Sequence, residues 1–220
     1  MKKSALIFSL AGIVIVSLLI FFIVSKDKNQ PLRTLPYFDP KDFAKEKKDV
    51  HHVVPTFSFT DQYGKTITEK NTEGKIYVCD YFFTTCQSIC PVMSNELVRV
   101  YQKYKDRNDF LILSHTVDPE TDTVAQLLDY AKRHGVNDDK WLFLTGNKKD
   151  LYRQARKGYL LSVDEGDGGA DDFIHTQNFA LVDKEKHIRG FYDGTDSLEV
   201  TRLINDLQLL FDAYEYEKRK

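Results

Sequence analysis

Residues 82–91 read FFTTCQSICP and set two thiols, Cys86 and Cys90, behind an apolar and aromatic run with three residues between them. Such a pair can act as a redox couple, clamp a soft metal, or fill a core as two small hydrophobic side chains. Pro91 is suited to the first turn of a helix, where the dipole and the unpaired N–H groups favour thiolates at both positions. Thiolates attack disulfides and ligate soft metals, and copper(I) would accept two such sulfurs with one imidazole. His175 is the candidate third ligand. It precedes the strand-like TQNFALVD and follows a Gly- and Asp-rich stretch, 164–172, whose composition suits a mobile segment. Among the other histidines, His51 and His52 fall in a spacer, His134 closes a helix and His187 sits in a hairpin, so all four read as solvated. His115 lies in a buried strand and reads as a satisfied core histidine. Cys79 alternates with Ile76 to Phe82 inside a strand and reads as core.

The elements that must position these residues follow from hydrophobic period and turn chemistry. VVPTFSFTDQYGKTIT predicts a hairpin turning at Asp61 to Gly64, and KIYVCDYFF (75–83) a strand. In PVMSNELVRVYQKYK the apolar residues at 93, 97, 100, 101 and 104 recur at helical spacing. DFLILSHTVD (109–118) lacks polar alternation, as in a strand buried on both faces. TDTVAQLLDYAKRHG opens on a Thr/Asp cap and closes on Gly135, a short helix. KWLFLTG predicts a strand and NKKDLYRQARKG a short helix ending at Gly158. NFALVDKEKHIRGFYDG predicts a hairpin turning at 183–186, followed by a helix over 196–214. This order predicts an α/β fold, a thioredoxin-like domain with a mixed central sheet flanked by helices.

The chain has 220 residues, 42% of them hydrophobic, with 31 Lys+Arg against 33 Asp+Glu and a formal net charge of -2. That length holds one ordinary domain plus an appendage, and the balance offers no basic surface for nucleic acid. Three cysteines are too few for a disulfide-stapled scaffold. Residues 5–24 are uncharged and mostly apolar, long enough at ~1.5 Å per residue to span a bilayer core of about 30 Å. With no A-x-A-like cleavage site after it, the run predicts an uncleaved N-terminal transmembrane helix. Lys2 and Lys3 before it are nearly balanced by Lys26, Lys28 and Arg33 after it, so charge does not set the orientation. A close thiol pair suits an oxidising compartment, which puts the domain on the extracytoplasmic, periplasmic side of the cell membrane. The expected organisation is an anchor at 1–25, a spacer at 26–52, the domain at 53–215 and a charged tail at 216–220. Oligomeric state has no signature in the sequence.

FFTTCQSICPVM, TVDPETDT and DFIHTQNFALVD, taken in order, resemble the Sco/SenC family of copper-binding cytochrome c oxidase assembly proteins, over most of residues 53–215. The resemblance implies a membrane-anchored thioredoxin-like domain that binds copper through a CxxxC pair and a distant histidine. It implies delivery of copper, or of reducing equivalents, to the binuclear copper site of oxidase subunit II. It names Cys86, Cys90 and His175 as copper ligands, and Asp118 as the family's aspartate near the site. That carboxylate would act behind the ligands, or Asp118-Pro119 simply turns the chain from strand to helix. Gln87 stands where the family commonly has proline, and TVDP replaces the commoner SVDP. The main alternative is a thiol-disulfide oxidoreductase that keeps acceptor cysteines reduced. Thioredoxins pair CxxC with a cis-proline, and this chain has no proline after Pro119. A thiol peroxidase would carry Thr three residues before its cysteine, where Phe83 and Gln87 stand. A non-catalytic interaction domain leaves the three motifs unexplained.

Overall fold

The computed structural model describes residues 34–40, 50–162, 166, 168–169 and 172–219. The expected anchor at 5–24, much of the spacer and half of the Gly/Asp-rich stretch lie outside them. Among the described residues no helix is long and apolar enough to cross a membrane.

A hairpin of β1 (Ser58–Thr60) and β2 (Thr66–Thr68) comes first. β3 (Ile76–Phe82), α1 (Ile89–Tyr104), β4 (Phe110–Thr116), α2 (Val124–Arg133), β5 (Trp141–Leu144) and α3 (Lys148–Arg153) follow. β6 (Asn178–Val182), β7 (Ile188–Asp193) and α4 (Ser197–Glu217) complete the chain. The main sheet has the order β5-β4-β3-β6-β7, with β3, β4 and β5 parallel and β6 and β7 antiparallel. β3 and β4 are buried at every position, which is why their sequences lack polar alternation. Alternate residues of β3 separate two cores. Ile76, Val78 and Phe82 face α1, α2 and α4 with Leu97, Leu127 and Phe211. Tyr77, Cys79 and Tyr81 face the hairpin and α3 with Phe59, Leu151 and Tyr159. Cys79 is fully buried, and burial pushes its thiol well above the ordinary range. In α1 the buried side chains include Met93, Leu97, Val100, Tyr101 and Tyr104, the positions picked out by period.

Several expectations are corrected. α3 does not run regularly to Gly158: it passes at Gln154 into a π-helical turn, Gln154–Gly158, after which Leu160 takes φ 55. α4 extends to Glu217 and takes up the start of the expected tail. The described part of the spacer packs on β7: Phe38 N–H donates to Ile188 O at 3.0 Å, and Arg189 donates to Leu35 O and Pro36 O. His51 and His52 are therefore not solvated spacer residues. The His51 ring stacks on Tyr37 at 3.8 Å and bonds Asp39, while His52 Nε2 bonds Gly158 O. His187 and His134 are half-buried as well, bonded through Nδ1 to His52 O and Tyr130 O. His115 is in the core, stacked on Tyr81, and only weakly satisfied: neither ring nitrogen makes a well-formed hydrogen bond, and the backbone of Asp80 and Leu113 offers the nearest partners. Burial holds it neutral, with a pKa lowered to about 3.

Candidate metal and thiol site

The site is built where β3 ends. From Phe82 the chain enters a loop over 83–88 and then α1, and Cys86 N–H closes a turn on Phe83 O at 3.2 Å. Cys86 lies in this loop, partly exposed; Cys90 is the second residue of α1 and is 4% exposed. Pro91 falls in the first turn of the helix, where its missing N–H costs nothing. Both cysteines are free thiols.

The expectation that the helix start favours a thiolate at both positions holds for Cys86 only. Burial works to raise its pKa but is outweighed by hydrogen bonds from the Cys90 thiol and N–H and from the Ser88 hydroxyl and N–H. Cys86 therefore titrates at about 7. Cys90 is pushed to about 12 by burial first, then by donating its S–H to Cys86, with the negative charge of Asp80 adding to the effect. Asp80 lies on β3, fully buried, and accepts from Ser114 Oγ at 2.5 Å; Ser114 in turn accepts from Trp141 Nε1 at 2.8 Å. Burial, partly offset by that hydrogen bond, raises the Asp80 carboxyl to about 7.

His175 reaches the same place from the far side. Buried Ile174 anchors the chain just before β6, leaving the exposed His175 ring against Phe173 at 4.8 Å. Cys86, Cys90 and His175 line one cavity of about 100 Å³ together with Tyr81, Phe83 and Val117. A wider groove of about 600 Å³ continues from His175 and Ile89 along Leu160, Ser162 and Phe191. Among the described residues no three His, Cys, Asp or Glu side chains stand close enough together to hold a metal ion. The three expected ligands thus share a cavity without converging.

Asp118 does not line that cavity. Its N–H donates to Thr116 Oγ at 2.9 Å and its carbonyl accepts from Asp122 N–H at 2.8 Å, so its backbone forms the strand-to-helix turn. The carboxylate that does reach the cysteine loop is Asp122, expected from the sequence only as part of a Thr/Asp helix cap, a place that Thr123 takes. It is fully buried and accepts from Thr84 N–H at 3.2 Å, from the Thr84 hydroxyl, and from Thr116 Oγ at 2.5 Å. The available signal was in TVDPETDT itself, where a second aspartate follows a β-strand ending in a hydroxyl.

A sequence model of the SCO1/SenC family matches residues 45–210. The chain belongs to the SCO1/SenC family. It is 30% identical over 164 residues to the SCO1 protein homolog of Bacillus subtilis (strain 168), covering 74% of this chain and 84% of the relative. Among solved structures it is similar to BsSco, described with a disulfide switch and as a member of the Sco family of cytochrome c oxidase assembly proteins. That match has 30% identity and a TM-score of 0.61, over 74% of this chain and 96% of the other. It is also similar to Arabidopsis thaliana ScoI with copper bound, at 26% identity and a TM-score of 0.57, over 71% of this chain and 99% of the other. The mixed sheet flanked by helices is thus the thioredoxin-like fold of Sco proteins.

Proposed function

We propose that this SCO1/SenC chain is a copper-binding assembly factor for cytochrome c oxidase, with Cys86, Cys90 and His175 as the ligands of its copper cargo. The observation that carries the reading is the shared lining of one small cavity by those three side chains, in a family where ScoI is solved with copper bound. The donor set fits the cargo. Two soft sulfurs and one imidazole satisfy copper(I) at low coordination number, and Cys86 is half in its thiolate form near pH 7. Cys90 is held as a thiol by burial, so metal must displace its proton, and affinity rises with pH. His175 is exposed, and since no three such donors stand close enough together to hold a metal ion among the described residues, it closes the site by moving toward the sulfurs. Transfer to acceptor cysteines, those of oxidase subunit II, proceeds by exchange of ligands one at a time, the exposed His175 leaving first. Residues 5–24 anchor the chain in the cell membrane, with the domain on the extracytoplasmic side.

One observation favours a second activity, reduction of a partner disulfide: the two thiols differ in exposure and acidity. The Cys86 thiolate attacks a partner disulfide, forming a mixed disulfide and releasing one partner thiolate. Cys90, once deprotonated, attacks Cys86 Sγ and releases the second partner thiolate. The pair is left as a disulfide, having given two electrons to the partner.

The deciding experiment is copper retained per reduced chain under a competing chelator, for the wild type, Cys86→Ser and His175→Ala. One tightly held copper, weakened in both variants, supports the reading. Wild-type affinity in Cys86→Ser overturns it, and loss of copper to the chelator by every form, with disulfide reduction intact, leaves the oxidoreductase activity alone.

A further inference from the structure

We propose that Asp122 is a positioning residue for the thiol site: its buried carboxylate holds Thr84, and through Thr84 the loop that presents Cys86 to Cys90. Asp122 is fully buried, and the donors that meet its charge are two hydroxyls and a backbone amide. Burying a carboxylate costs free energy that an apolar side chain of similar size would not. What this one supplies is placement. Two of its three donor groups belong to Thr84, two residues before Cys86, and the third is Thr116, the last residue of β4. The Thr116 hydroxyl also accepts the Asp118 N–H, and Val117 N–H donates to Phe82 O at 2.9 Å. One carboxylate thereby ties the cysteine loop to the ends of β3 and β4 and to the Asp118 turn. With Thr84 held, the Phe83-to-Cys86 turn is fixed against the start of α1, where Cys86 and Cys90 line one cavity. The motif TVDPETDT then contributes through Asp122 rather than through the carboxylate of Asp118.

Two oxygens are needed for this arrangement, because the Thr84 hydroxyl donates to Oδ1 and the Thr116 hydroxyl to Oδ2. Asparagine offers one oxygen and turns an N–H toward one of the existing donors. Thr84→Val keeps the shape and the backbone amide but removes the hydroxyl, and Thr84→Ser restores the hydroxyl. Groups that orient metal ligands in this way change affinity by about 10–100-fold when removed.

The proposal rests on the copper reading given above, so the test carries a readout independent of copper. The 220-residue chain and its Asp122→Asn, Thr84→Val and Thr84→Ser forms are compared for copper(I) affinity by chelator competition. Their Cys86–Cys90 reduction potentials in glutathione buffers and their urea midpoints are measured alongside. We expect about tenfold weaker copper binding in Thr84→Val and Asp122→Asn and wild-type affinity in Thr84→Ser. We also expect the disulfide to be about tenfold less favoured in the first two, a potential about 30 mV less negative. A wild type that holds no copper refutes the function proposed above, and the positioning role then stands or falls on the potential alone. Unchanged affinity and potential in Thr84→Val, which keeps the fold even if Asp122→Asn does not, overturns the role. So does a loss that tracks the urea midpoint and is not recovered by Thr84→Ser.

Discussion

Asp80→Asn should make the stability of this protein less dependent on pH, in one direction and over one window. The Asp80 carboxyl is 2% exposed, and its ordinary value of 3.8 is raised to about 7 by burial. The folded protein therefore keeps a proton that the unfolded chain gives up. Stability from this group is fully present below pH 3.8 and is lost as pH rises through about 7. Each pH unit in that window is worth about 1.4 kcal/mol, so the span from 3.8 to 7 amounts to about 4 kcal/mol. Asparagine has no proton to lose and keeps an oxygen for Ser114. The stability of Asp80→Asn minus that of the wild type should thus climb by about 4 kcal/mol between pH 4 and pH 7 and level off above it. Taking the difference cancels every carboxylate the two proteins share. Urea unfolding of the reduced chain reports it through Trp141, the chain's one tryptophan, which is buried and bonded to Ser114 beside Asp80. A difference that stays flat from pH 4 to 7 would refute the reasoning, because Asp80 would then be charged in the fold.

Three further outcomes follow from other titratable groups. His115, with no well-formed hydrogen bond to either ring nitrogen and a pKa lowered from 6.5 to about 3 by burial, loses stability as pH falls through that window. His115→Phe keeps the stack on Tyr81 and should gain about 1–3 kcal/mol at neutral pH and more at pH 5; an equal effect at both pH values counts against it. At pH 8 an alkylating reagent should label one thiol quickly, the one titrating at about 7, Cys86. Cys90 and Cys79 should follow slowly or only on unfolding; a fast phase surviving in Cys86→Ser, read by mass spectrometry, disproves the assignment. Arg189→Met removes the cation on the buried Asp183 carboxylate, bonded by Arg189 at 2.7 Å, and leaves it the Glu185 and His187 N–H donors. It should cost about 3 kcal/mol and open residues 34–40 to protease; a loss of unfolding free energy under about 1 kcal/mol would show that the pair is not needed.

The order of strands and helices was legible because β3 and β4 carry unbroken apolar runs and α1 repeats its apolar residues at helical spacing, local patterns that survive without tertiary help. Cys86, Cys90 and His175 stand out in the sequence by residue type and motif, and the structure brings all three to the lining of one cavity. What sequence alone did not determine is how the two thiols differ. Both precede or open the same helix, and only packing buries Cys90 while leaving Cys86 to collect donors from Ser88 and Cys90. What the two aspartates in TVDPETDT touch was likewise set only in three dimensions. Asp118 forms a turn with its backbone, and Asp122 crosses to a loop 38 residues earlier. The docking of 34–40 and His52 on the domain rests on Arg189 and on backbone partners more than 100 residues away. Period and propensity report what a residue does to its neighbours in the chain; burial of a charge or a thiol depends on which distant side chains close over it, and the fold alone decides that.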